Sequence, residues 1–203
     1  FNQEGTIINQ SFKRRTLRLN ADFRPSDRLT VDAGVSITES ETSRVNTDNN
    51  IFSGISVALL ELPGIPLRND QGELTLDNFL FSNPLQNVTQ ENSDENVLRL
   101  LSNVGLKYDL STNLQLYTRA SIERLDFIQD RFFPASTAQG AGANGDAFAF
   151  VNLFTQYNST TTLNYTNNFG LDDWGFSALA GFSFEGNIAN QSTTNTQNFP
   201  DGF

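Results

Sequence analysis

Strict alternation of apolar and polar residues recurs along this chain, and no other feature limits its fold so strongly. A period of two places successive side chains on opposite faces of an extended strand. From Arg15 to Phe23 the apolar residues are Leu17, Leu19, Ala21 and Phe23, with Thr16, Arg18, Asn20 and Asp22 between them. Pro25, Ser26 and Asp27 supply a turn, and alternation resumes through Leu29, Val31, Ala33, Val35 and Ile37. That is a hairpin. A second runs through Leu98, Leu100, Val104, Leu106, Tyr108 and Leu110, turns at Ser111–Asn113, and returns through Leu114, Leu116, Ala120 and Ile122. After Ile122 the apolar phase slips to Leu125 and Phe127, which predicts a bulge near Arg124. A third pair uses Ala149, Val151, Leu153, Tyr157, Leu163 and Tyr165, then Trp174, Phe176, Ala178, Ala180, Phe182 and Phe184.

The connections are asymmetric. Short turns fall at about 25–28, 111–113 and 170–173, whereas long polar segments fall at about 39–96, 128–146 and 186–203. Short turns at one end and long loops at the other characterise outer-membrane barrels, with the short turns periplasmic and the long loops outside the cell. The apolar runs are long enough for the 9 to 11 tilted residues that cross a hydrocarbon layer. Phe23, Tyr108, Phe169 and Trp174 near the turns, and Phe12, Phe127, Phe148, Phe150 and Phe184 at the far ends, predict two aromatic girdles; the alternative is that the 18 Phe fill a core. Six strands do not close a pore, since single-chain barrels need about eight. The expected fold class is therefore all-β: an antiparallel up-and-down transmembrane β-barrel segment of about six strands in three hairpins, residues 1–203 forming part of a larger barrel domain.

Composition removes much chemistry. The 203 residues include no Cys and no His, hence no thiolate nucleophile, imidazole base or ordinary zinc site. The formal charge of −10 is the wrong sign for gripping phosphates, so no nucleic-acid partner is expected. Residues 1–20 show no signal-peptide pattern, as expected of an internal or mature segment. The longest apolar stretch, Ile55–Leu62, is far too short for a membrane helix.

Gly140, Gly142 and Gly145 match G-x-G-x-x-G, but a strand rather than a helix follows, so they read as a loop tip. The acidic pairs Asp94–Glu95 and Asp172–Asp173 read as solvated charge beside turns rather than as a glycosidase pair. Asn46–Asn50 lacks the Glu and spacing of a calcium loop, and the sequons at Asn9, Asn87, Asn158, Asn164 and Asn190 are expected by chance; no catalytic residue, metal, cofactor or glycan is assigned. Ile51, Phe52, Ile55, Leu59 and Leu62 recur near helical spacing after Asn49 and Asn50 and before Pro63–Gly64, predicting a short amphipathic helix. It either packs on its own loop or presents Phe52, Ile55 and Leu59 to a partner protein. Polar strand faces carry Arg18, Asp22, Asp32, Arg99, Lys107, Tyr117, Arg119, Glu123, Asn152 and Gln156. If the apolar face meets lipid, these line a lumen. Tyr117, Arg119 and Glu123 are the candidate substrate-lining residues, an aromatic beside charges suiting a polar ligand.

The run Phe12–Asn20, the strand Asp27–Val31, Leu62-Pro63-Gly64-Ile65-Pro66 with Asp70-Gln71-Gly72, Asn83-Pro84-Leu85 and Ala180-Gly181-Phe182-Ser183 together resemble SusC/RagA-type TonB-dependent outer-membrane transporters of Bacteroidetes. The resemblance implies a plugged barrel of about 22 strands, TonB-dependent import of a nutrient (glycan or peptide), a SusD-like surface lipoprotein as lid, and coupling to TonB–ExbB–ExbD through a plug that this sequence lacks. The rival readings are a non-transporting outer-membrane barrel, structural or adhesive, and a secreted carbohydrate-binding β-sandwich.

Overall fold

A computed structural model describes residues 1–45, 50–75, 79–170 and 174–200. Seven strands form one antiparallel sheet in chain order: β1 (Asn2–Glu4), β2 (Ser11–Ser26), β3 (Leu29–Ser43), β4 (Asn92–Asp109), β5 (Leu114–Phe133), β6 (Asp146–Asn167) and β7 (Phe176–Gln197). The six long strands are those of the three predicted hairpins; β1 is a three-residue addition on the outer edge of β2. Strands outrun the alternating stretches at the long-loop end, so the connections there are 44–91 and 134–145. Among the described residues no helix is long and apolar enough to cross a membrane, which says nothing of strands.

Register follows the alternation. Leu17 faces Ile37 and Ile37 faces Leu100, while Arg18 faces Ser36 and Ser36 faces Leu101. Leu19, Val35, Val104, Ile122, Leu163 and Phe182 thus share one face, and Asp32, Asn103, Arg119, Glu123 and Gln156 the other. The sheet has one layer. On the apolar face Leu19 is 59% exposed and Phe182 71% exposed, with no protein over them among the described residues. Among the described residues the buried hydrophobic ones are Val45, Val57, Val88 and Phe133, all at the long-loop end. Of the described phenylalanines only Phe133 is among them, so the Phe do not fill a core.

Two details differ from the sequence reading. The register runs unbroken through Ser121–Phe127, so no bulge sits near Arg124. Leu125 and Phe127 instead lie on the polar face, and Arg124 and Asp126 on the other, where they pair at 2.8 Å. The cause is strand length: β5 continues beyond the apolar band, and above it neither face has to be greasy. A bulge does occur in β2, where register shifts between Phe23 and Ser26. Pro25, which has no N–H to donate to a ladder, falls in that interval.

The girdles are also redrawn. At the short-turn end Phe23, Tyr108, Tyr165 and Phe176 lie on the apolar face, with Trp174 75% exposed beyond them. At the other end Phe12, Phe127, Phe148 and Phe150 belong to the polar face, so they do not form an outward ring. Tyr157 and Phe184 take that position, ring centroids 5.8 Å apart. Gly186, two residues on from Phe184, lies under the Tyr157 ring; a Cβ there would stand 2.6 Å from the phenol oxygen.

The apolar band slants across the register. Phe23, the last apolar residue of β2 before the bulge, is linked through successive register partners to Phe182 of β7, yet the band on β7 continues to Phe176. Six residues of slip is about 20 Å of rise against about 24 Å of lateral spacing, an inclination of about 40°.

Candidate functional site

The polar face carries ion pairs and hydrogen bonds that run from strand to strand. All ten residues expected there occupy it. Arg99 pairs with Glu123 at 2.7 Å, Arg119 donates to the Asn103 side chain at 3.1 Å and lies 4.0 Å from Asp32, and Gln156 donates to Glu185 at 2.6 Å. Tyr117, Arg119 and Glu123 follow one another along β5, but each charge is held by a neighbouring strand, not by the other. Partly exposed ion pairs of this kind add little stability; they fix side-chain positions on a face that has no packing to do so.

At the long-loop end the connections form a compact polar assembly. Helix α1 (Gly54–Leu60) is shorter than the periodicity suggested. Ser53, not Asn50, caps it, its hydroxyl accepting from the Ser56 N–H at 3.1 Å, while Asn50 makes an Asx turn with the Phe52 N–H. Asn49, the other Asn46–Asp48 positions and the pair Asp172–Asp173 lie outside the described residues. Helix α2 (Pro84–Gln90) was not foreseen as a helix. Its signal was present in Asn83-Pro84: the Asn83 carboxamide accepts from the Leu85 N–H at 2.9 Å, and Pro at the first helical position loses nothing.

The two helices meet where Gly54 lies against the Val88 side chain and the Pro84 carbonyl, leaving no room for a Cβ. One side of α1 packs on its own loop and the other side is open. Val57 is fully buried on its own loop, while Ile55 is 41% and Leu59 81% exposed and Phe52 half-buried. Buried amides hold the rest: Asn83 donates to the Leu67 and Thr75 carbonyls, Asn87 to the Phe52 carbonyl and the Ser82 hydroxyl, and Gln86 to the Ser136 carbonyl at 2.7 Å. Asn50 and Gln139, and Ser136 and Gln90, bridge the two long connections at 2.9 Å. The G-x-G-x-x-G run is a 3-10 turn at Ala141–Ala143 inside this assembly; Gly140 is buried against the Phe133 and Pro134 carbonyls, so it is packed rather than an open tip.

Two carboxylates there are perturbed. Burial pushes Glu61 up, but the backbone N–H groups of Leu80, Phe81, Ser82 and Leu62 outweigh it and hold the carboxyl below its ordinary value. Burial pushes Glu91 up to about 7, against a hydrogen bond from Gln139 that pulls it down.

Comparison with known proteins agrees with this construction. TonB-dependent receptor P3 of Formosa agariphila is 24% identical over 192 residues, covering 91% of this chain and 19% of that protein. The RagAB peptide importer in its closed-closed state superposes with a TM-score of 0.73 at 16% identity, covering 94% of this chain and 22% of the other. A second structure of the RagAB peptide transporter gives 0.71 at 17% identity over 95% of this chain and 22% of that one. No protein-family model matches. The chain spans about a fifth of the length of these relatives. The resemblance to SusC/RagA-type TonB-dependent transporters is borne out, and the fold is a segment of an antiparallel up-and-down barrel wall.

Proposed function

We propose that this chain is part of the barrel of a TonB-dependent importer in the bacterial outer membrane, taking up a nutrient, glycan or peptide. One observation carries the reading: a one-layer sheet whose apolar face is covered by none of the described residues and whose polar face is charged. Lipid is the natural cover for the first and a wet or plugged lumen for the second. A soluble sandwich needs the apolar faces of two sheets to meet. Likeness to a TonB-dependent receptor and to peptide importers separates this reading from a non-transporting barrel.

In this reading the short turns are periplasmic and the long connections extracellular. Solute is captured among the loops beneath a SusD-like lipoprotein, which meets Phe52, Ile55 and Leu59, and passes along a wall that includes Tyr117, Arg119 and Glu123. It is released when TonB–ExbB–ExbD acts on a plug; no covalent chemistry occurs. The test is uptake by cells carrying the full gene. Growth on a peptide or glycan as sole nutrient should be lost on its deletion and equally on loss of TonB, whereas growth unaffected by either deletion would end the proposal.

A further inference from the structure

The polar face is not polar throughout. Toward the long-loop end Leu125 and Phe127 of β5 and Phe148, Phe150 and Phe154 of β6 lie together on it, with Leu125 opposite Phe154 and the Phe127 and Phe150 rings edge to face at 5.9 Å. None of these side chains is buried, and they face away from the apolar band, where no lipid asks for them. Beside them stands Arg131, the register partner of Phe148. Its guanidinium carbon lies over the Phe148 ring, 4.4 Å from the centroid. A ring under the guanidinium plane holds it in place and occupies none of its N–H donors. The strands on both sides of Arg131 are present, yet it makes no hydrogen bond or ion pair within the described residues, whereas Arg99 and Arg119 lower on the same strands are held by Glu123 and Asn103. Its Nε is shielded from solvent; the two terminal nitrogens are open. A chain of net charge −10 thus keeps one guanidinium oriented on a ring with no carboxylate upon it.

We infer that Arg131 and the adjoining phenylalanines form a subsite for the carboxyl terminus of a peptide that ends in apolar residues. The carboxylate takes the two terminal nitrogens as a fork, and the apolar side chains lie on Phe150 and Phe127. Phe150 is two residues on from Phe148, about 7 Å along the strand, a span that a terminal carboxylate and large side chains next to it bridge. The inference deepens the importer reading and rests on it for the claim that this face looks into the lumen. A glycan bearing carboxylates shares the charge but not the fit: the patch is Phe and Leu with Asn152 between them, and offers ring hydroxyls few partners. The patch is also continuous with the proposed solute route, since Leu125 stands opposite Arg99, the partner of Glu123.

The experiment uses the full transporter in detergent and calorimetric titration with three N-acetylated octapeptides. One is of Gly and Ser ending in Leu-Leu with a free carboxylate, the second is its carboxyl-terminal amide, and the third ends in Ser-Ser with a free carboxylate. The Leu-Leu acid should bind at least about tenfold more tightly than its amide and at least about fivefold more tightly than the Ser-Ser acid. Arg131→Gln should bring the acid down to the amide, and Arg131→Lys, a point charge without the fork, should keep part of the difference. Phe150→Ser should bring the Leu-Leu acid down to the Ser-Ser acid; it decides the matter by itself if Arg131→Gln fails to give the heat-modifiable folded band. Equal binding of acid and amide, no binding of any peptide, a preference that survives these substitutions, or Arg131-dependent binding of an oligouronate with none of the peptides would overturn the subsite. TonB-dependent uptake by the unmodified transporter is measured separately, so a failed subsite and a failed importer assignment are told apart.

Discussion

Glu91 and Asn83 show how single polar residues set the behaviour of the loops. Glu91 is raised in the folded protein above its unfolded value, so the folded assembly binds the extra proton more tightly. Its contribution is fully present below about pH 4.5, declines as pH rises, and is gone above about pH 7. Protection factors of the 85–91 amides in the full transporter, with the intrinsic base-catalysed rate divided out, should accordingly be higher at pH 5 than at pH 8, and Glu91→Gln should flatten that difference. Asn83 caps α2 and satisfies two carbonyls at once while only 1% exposed. Asn83→Ala leaves both unpaired and should cost about 2–4 kcal/mol. The loss should appear as faster exchange across 66–91 with the strands unaffected; a global loss of strand protection would contradict the separation between wall and loop assembly.

At the scale of elements, what was legible is what a repeating physical demand writes into sequence. Lipid on one side and water on the other impose a period of two for as long as the strand lies in the bilayer, and Leu17–Phe23 and Leu29–Ile37 obey it. Past the band the demand lapses, and there the reading failed: Leu125 and Phe127 look like a phase slip but are ordinary polar-face positions of a strand that outlives the membrane. Helix α2 escaped for a related reason. Its buried face is Gln86 and Asn87 beside Val88, held by amide hydrogen bonds, so it offers no apolar periodicity to detect. The candidate lining residues needed only face and spacing, whereas their partners Asp32, Arg99 and Asn103 required the register. The faces make a direct prediction. Val104→Arg, within the apolar band, should cost about 2–4 kcal/mol and reduce the heat-modifiable folded band on a detergent gel. Ser36→Arg, on the opposite face, should leave that band intact.

Over the whole molecule, stability and function are divided between regions that share little. The wall has no core of its own, and its packing partner is solvent or lipid; the loop assembly holds the buried hydrophobic residues and closes on itself through Asn50, Gln86 and Gln139. Arg119→Ala should therefore leave assembly unchanged while altering uptake through the full transporter several-fold, and unchanged uptake would remove Arg119 from the solute's route. The oblique course of the greasy belt bears on any such redesign. Rows of backbone hydrogen bonds climb like a screw thread, so residues paired across strands stand at different depths. A collar of side chains at one height is drawn by stepping about one residue per strand, and an engineer who wished to narrow the passage level with Arg119 would look on β6 between Thr160 and Thr162 rather than at Thr160, its ladder mate.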